Sequence, residues 1–189
     1  MQIEYLENRH QYIIDGILVP SVSTLVAYAT GDIYQNIPEH ILEAAREHGT
    51  AVHDAIENYE RTGAVDDEHE KEVNAYIELK EKYLLSPKDM EQIVHYKNHF
   101  CGRYDILDTQ GNLWDIKTTS KYHEENLQWQ LGLYYLGLGK EKDVGYCIHI
   151  PKKGKPKVRI VQPKTNKECI SLIETYERAN KSAEDPSES

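Results

Sequence analysis

Cysteine is scarce in this chain of 189 residues, and what there is does not cluster. Cys101, Cys147 and Cys169 form an odd, widely spaced set. It offers neither a disulfide framework nor the grouped thiolates of a zinc or iron–sulfur site. All three read as small buried apolar residues. Apolar runs long enough to span a bilayer are missing too, and the start, Met1-Gln2-Ile3-Glu4, is acidic and lacks the pattern of a leader. A cytoplasmic protein with no membrane partner is the expectation. A positive balance is also absent: the net charge is −10, which at first argues against a polyanionic partner. The order of the charges reverses that argument, because residues 151–167 hold seven Lys or Arg and no acid. A protein acidic overall can still turn a basic face to phosphates. Taken alone, however, that stretch is better explained as a solvated hairpin tip.

The length suits one domain with a sizeable core, expected over residues 1–182, with a disordered tail at 183–189 (AEDPSES). Ile3 and Tyr5, then Tyr12 to Ile14, then Ile17 to Val19 read as strands broken by turns, the second at Asp15-Gly16. Ser21 or Ser23 caps a short helix that ends near Gly31. Pro38 opens a long helix, with Ile41, Leu42, Ala45, Val52, Ala55, Ile56 and Tyr59 at helical spacing until Gly63. The next helix starts acidic and is expected to bury Val73, Tyr76, Ile77, Tyr83 and Leu84. Runs 91–96, 101–107 and 113–118 predict an antiparallel meander. Residues 124–137 form a helix apolar on nearly every side, hence buried on most of them. A strand at 144–150 turns through the basic loop into 158–161. Thr165-Asn166-Lys167-Glu168 is a capping box for a last helix. The fold class is therefore α/β, a mixed central sheet with an antiparallel meander flanked by helices.

Within the meander, Asp115 and Lys117 are two apart and leave the same face of a strand. The flanking Leu113, Trp114 and Ile116 predict burial, where unpaired acids are rare. A structural ion pair is a fair competitor. A carboxylate beside an ammonium also suits a site that holds a divalent cation and meets an anionic substrate. Asp105, on the preceding strand, adds a second oxygen ligand of the kind Mg²⁺ and Mn²⁺ prefer. His53 borders the apolar stripe of the long helix, with Glu57 one turn later; on its own a partly exposed helix histidine is the simpler reading. Glu91 is undecided between a solvent-facing strand residue and a second metal ligand or a supporting one. Gln130 and Tyr134 share one helix face, and a polar Gln130 there requires a partner: a phosphate, a catalytic side chain or a backbone group.

The order of these segments resembles the RecB-like, Cas4-like branch of the PD-(D/E)XK nuclease superfamily. His48-Gly49-Thr50-Ala51-Val52-His53 looks like its histidine motif, Gly102-Arg103-Tyr104-Asp105 its second motif, and Trp114-Asp115-Ile116-Lys117-Thr118 its third. Gln130 to Tyr134 matches its Q-x-x-x-Y signature. The similarity runs from about His48 to Tyr134. Asp115 stands where many relatives carry Glu, and the four-cysteine cluster of some branches is missing, so no iron–sulfur cluster is expected. The resemblance implies a restriction-endonuclease-like core of phage exonuclease type. It implies a Mg²⁺ or Mn²⁺ site made by His53, Asp105, Asp115 and the Ile116 carbonyl, with Glu91 or Glu57 as second-metal or supporting ligands. Lys117, Asp115 and Asp105 would be catalytic. Gln130, Tyr134, Lys152, Lys153, Lys155, Lys157 and Arg159 would hold DNA or steady the site. The expected function is a metal-dependent DNA exonuclease of recombination or repair, acting on duplex ends or single strands, with a recombination or annealing protein as a further partner and a homo-oligomer as an option. An endonuclease or nickase, a non-catalytic DNA-binding accessory module, and an α/β protein with a fortuitous ion pair are the competing classes.

Overall fold

The computed structural model describes residues 2–6, 11–31 and 33–184. Three short strands, β1 (Ile3–Leu6), β2 (Gln11–Ile14) and β3 (Ile17–Val19), form a small antiparallel sheet. Helix α1 (Val22–Thr30) starts at Ser21, whose hydroxyl accepts the Thr24 amide at 3.1 Å, the usual way of satisfying a free first-turn donor. Helices α2 (Glu39–Thr62) and α3 (Glu70–Lys82) follow, α2 closing on Gly63 in the left-handed region with φ 74°. The main sheet holds β4 (Pro87–Tyr96), β5 (Phe100–Asp108), β6 (Leu113–Lys117), β7 (Gly145–His149) and β8 (Lys157–Val161) in chain order. The expected meander β4-β5-β6 is antiparallel. Helix α4 (Glu124–Gly137) crosses between β6 and β7, which pair in parallel, as a strand–helix–strand crossover requires. Helix α5 (Asn166–Glu184) closes the chain. Its capping box forms as expected: Glu168 accepts from the Thr165 amide and hydroxyl, each at 2.8 Å.

Two apolar cores lie on opposite faces of the main sheet. Ile106, Trp114, Ile116, Ile148 and Ile150 face Val52, Ala55 and Ile56 of α2 and Val73, Tyr76 and Leu79 of α3. Leu107, Leu113 and Cys147 pack with α1, α4 and α5 on the other side. Strand alternation sends odd and even positions of β6 to different cores. All three cysteines are buried and unpaired by disulfides.

Some expectations fail locally. Tyr83 and Leu84 were assigned to the buried face of α3, but the helix ends at Lys82 and Leu84 is 83% exposed with φ 54°. The chain must turn sharply there to enter β4, and the turn throws the side chain outward. Ile41 is 51% exposed, and within α2 only Val52, Ala55 and Ile56 are buried. No residue of α2 before Val52 is buried, so the first half of the helix lies outside the core. Helix α5 continues through Glu184. The turn expected at 7–10 and the tail at 185–189 lie outside the described residues.

Candidate active site

Strand β6 sets the centre. Its register, with Ile106 opposite Trp114, brings Asp115 to the position beside Asp105 on β5. The Ile116 amide donates to Asp105 Oδ2 at 2.6 Å, so the two strands are tied through the carboxylate itself. Glu91 comes from β4, where its backbone takes a φ of 50°. A non-glycine residue in the left-handed region inside a strand is strained. Here the strain aims Glu91 at the same place as Asp105. His53 reaches the centre from the buried half of α2. Its Nδ1 lies 3.2 Å from Glu91 Oε1 and 3.7 Å from Asp105 Oδ1, and its Nε2 lies 3.1 Å from the Ile116 carbonyl. One ligand atom from each of His53, Glu91 and Asp105 falls within a group no more than 4.8 Å across.

Asp115 is 1% exposed. Lys117 Nζ lies 2.8 Å from each of its oxygens, and Gln130 Nε2 donates to Oδ1 at 2.8 Å. Oδ2 is buried, with the Lys117 ammonium as its partner. Gln130 also lies 3.3 Å from the Tyr134 hydroxyl. Of the partners that a polar residue on this apolar helix could have, it takes a candidate catalytic side chain. Arg103, unassigned beyond its motif, pairs with Glu91 at 2.9 Å.

The charges follow from these contacts. Burial would lower the His53 pKa, but the Asp105 carboxylate and the Glu91 hydrogen bond outweigh it and raise it to about 9. Burial raises the Asp115 carboxyl to about 6, against the opposing pull of Lys117. Burial likewise raises Asp105, although His53 and Lys117 pull it down. For Lys117, burial favours the neutral amine, yet Asp115 and Asp105 prevail and keep the ammonium. Protonated His53 thus donates to both Glu91 and the Ile116 carbonyl, and its positive charge sits among three oxygen donors. A divalent cation fits the same surroundings: one imidazole, hard carboxylate oxygens, a backbone carbonyl and, alongside, the buried Asp115 carboxylate held by Lys117.

His53, Asp105, Asp115, Ile116, Lys117, Gln130 and Tyr134, the set that the resemblance implies, come together, and Glu91 joins them. Glu57 does not. It is exposed and makes no contact with the cluster, because one further helical turn carries it about 6 Å along the axis and out to solvent. The basic loop leaves the end of β7. Lys152, Lys153, Lys155 and Lys157 are exposed, and Arg159 is half-buried on β8. Sequence reasoning passed over Tyr122 and His149. Tyr122 lies in the connection between β6 and α4, where periodicity gives no signal. His149 is in register with Lys117, a pairing set by the parallel register of β6 and β7 that leaves no signal in the sequence.

No family model matches the sequence, and no curated protein matches it. Solved structures do. An alkaline exonuclease from Laribacter hongkongensis (LHK-Exo) superposes with a TM-score of 0.51 at 11% identity, covering 85% of this chain and 84% of that one. The protein SSO0001 gives 0.50 at 12% identity, over 88% of this chain and 78% of that one. A phage-related exonuclease from Haemophilus somnus 129PT gives 0.47 at 13% identity, over 83% and 89%. Identities this low speak to architecture, and the first two superpositions carry it: the chain is built on the restriction-endonuclease-like α/β fold.

Proposed function

We propose that the protein is a divalent-metal-dependent deoxyribonuclease, an exonuclease of recombination or repair that hydrolyses phosphodiester bonds. The reading rests on one observation: His53, Glu91 and Asp105 offer ligand atoms within 4.8 Å of one another, beside the buried Asp115 and its half-buried partner Lys117. The cation would be held by His53, Asp105 and Glu91, with Asp115 and the Ile116 carbonyl completing the shell. Mg²⁺ or Mn²⁺ suits a donor set dominated by oxygen. Such an ion makes water a stronger acid and neutralises charge on a phosphoryl group.

The chain's own residues have distinct tasks. Lys117, kept as an ammonium, donates a hydrogen bond to the attacking water or to a phosphate oxygen and offsets charge as it builds up. Gln130 and Lys117 fix the Asp115 carboxylate in place beside Asp105. Arg103 holds Glu91, and Tyr134 steadies Gln130. Glu91, Asp105 and Asp115 meet Arg103, Lys117 and protonated His53 in balance. Replacing that proton by a divalent ion leaves the cluster one positive charge richer, which suits it to receive a phosphodiester anion. The exposed lysines 152, 153, 155 and 157 would follow the DNA backbone without regard to sequence.

Lys117→Ala and Asp115→Asn test the reading in a Mn²⁺-dependent cleavage assay on end-labelled linear DNA. Each is expected to lose at least about 10²- to 10³-fold in rate while still unfolding cooperatively, with Lys117→Ala, which leaves the buried Asp115 carboxylate unpaired, melting at a lower temperature. Undiminished cleavage by both variants would remove the assignment. Covalently closed DNA in the same assay separates end-dependent from internal cutting.

A further inference from the structure

Arg159 is a cation in a strongly acidic chain. Among the described residues no carboxylate pairs with it, and its Nε is buried with no hydrogen-bond partner. Its guanidinium carbon lies 4.0 Å from the centre of the Tyr122 ring, a stacking arrangement that fixes the plane of the group. On the same tyrosine, at 6.1 Å between ring centres, lies His149. That imidazole is 4% exposed. Its Nε2 donates to the Thr119 carbonyl at 2.7 Å, which leaves Nδ1 buried and unpartnered. Two unsatisfied polar atoms thus border one aromatic ring. Buried polar groups are nearly always paired, so the unused Arg159 Nε–H donor marks a place for an acceptor, whereas the His149 Nδ1 lone pair is itself an acceptor and offers nothing to an anion.

The sheet says where this place is. Arg159 on β8 is in register with Cys147 on β7, and Cys147 with Asp115 on β6. Paired neighbours share a face. The Cys147 thiol, pushed up by burial, also feels Asp115, Lys117, Asp105 and Arg159. At one strand spacing per step, Arg159 stands about 10 Å from Asp115. The adjacent row runs Lys117, His149, Lys157. The face is acidic at the metal-ligating end and positive along the flank leading to the basic hairpin.

We propose that Arg159, stacked on Tyr122, forms a subsite for a phosphate of the substrate strand neighbouring the one that is cut. The subsite rests on the nuclease reading above and adds a fixed contact to the diffuse attraction of the hairpin lysines. A guanidinium held in plane presents its donors as a fork that matches the oxygens of a phosphodiester. Lysine in its place would keep the charge and lose both the stacking and the fork.

The test uses oligonucleotides with one defined cut site and a single uncharged methylphosphonate placed at each flanking position in turn. For the wild-type protein one flanking position is expected to raise KM about 10- to 100-fold, the worth of a charged hydrogen-bonded contact. Arg159→Ala should raise KM by a similar factor on the all-phosphate strand, with kcat nearly unchanged, and should lose its sensitivity at that one position only. Arg159→Lys should stay close to Arg159→Ala. Unchanged KM in Arg159→Ala overturns the subsite, as does a full methylphosphonate penalty persisting there at every position. So does a wild-type protein indifferent to every flanking substitution, a measurement that needs no variant to fold. Were the wild type to cut no nucleic acid, the nuclease reading itself would fall. Fluorescence anisotropy with the same strands then judges the subsite, and equal affinities of wild type and Arg159→Ala would reject it.

Discussion

His53 is a base at neutral pH in most surroundings and a cation in this one. With its pKa raised from 6.5 to about 9, the folded chain holds a proton that the unfolded chain gives up. That proton stabilises the metal-free fold fully below pH 6.5, and its contribution is lost as the pH rises through 9. Asp115, raised from 3.8 to about 6, acts with the same sign at lower pH: its ionisation between those values costs stability. In chelator, the thermal midpoint is therefore expected to fall between pH 6.5 and 9. The increment given by Mn²⁺ should grow over the same window, because an imidazole must lose its proton to become a ligand. Unfolding curves with and without Mn²⁺ measure both, and a chelator midpoint that rises across the window contradicts the account. Glu91 and Glu57 are a matched pair of acids with opposite expectations. Glu91→Ala should weaken Mn²⁺ binding about 10- to 100-fold, whereas Glu57→Ala should leave it within error in a calorimetric titration.

Elements come close in this fold where side chains are missing. A Cβ on Gly132 of α4 would lie 2.6 Å from the Lys164 carbonyl oxygen, and one on Gly145 of β7 would lie 2.8 Å from the tip of Leu131. A leucine methyl can swing aside; a backbone carbonyl joined to a capped helix cannot. Gly132→Ala is thus expected to cost about 1–3 kcal/mol and Gly145→Ala less, as read by denaturant unfolding. Gly102 has a similar duty near the site, since a Cβ there would meet Val22 and Tyr134 at 2.6 and 2.8 Å. Helix α1, β5 and α4 converge at that point, which places Tyr134 and Gln130 against Asp115. The period-two and period-3.6 patterns made most of these elements legible from the residues alone. Their ends were less so: β4 begins at Pro87, because strand pairing with β5 recruits residues whose own pattern is weak.

Across the whole molecule, charge is paired at the site but concentrated by sign along the chain. The chain carries −10, yet Lys152, Lys153, Lys155 and Lys157 lie together in and beside one exposed loop. Changing all four to Gln should weaken DNA binding at low salt. It should also flatten the dependence of log affinity on log salt by about 0.9 for each lost duplex phosphate contact. A salt titration of binding to an uncleavable duplex reads this, and an unaltered slope would show that the loop faces away from DNA. Among the described residues no helix is long and apolar enough to cross a membrane.

Local spacing settled what depends on near neighbours. Asp115 and Lys117 had to share a strand face, Gln130 and Tyr134 a helix face, and Thr165 and Glu168 a cap, because two, four and three residues of regular backbone bring side chains together. Contacts between distant residues belonged to tertiary structure. His53 meets Glu91 across 38 residues and Ile116 across 63, and no periodicity encodes such meetings. Glu91 was undecided as a sequence position because a left-handed backbone turn inside a strand leaves no pattern to read. Arg159 and Tyr122 could be placed only once β7 and β8 had been laid beside β6. The residues thus carried the chemistry and its local geometry, while the stacking order of five strands chose which charges would face one another.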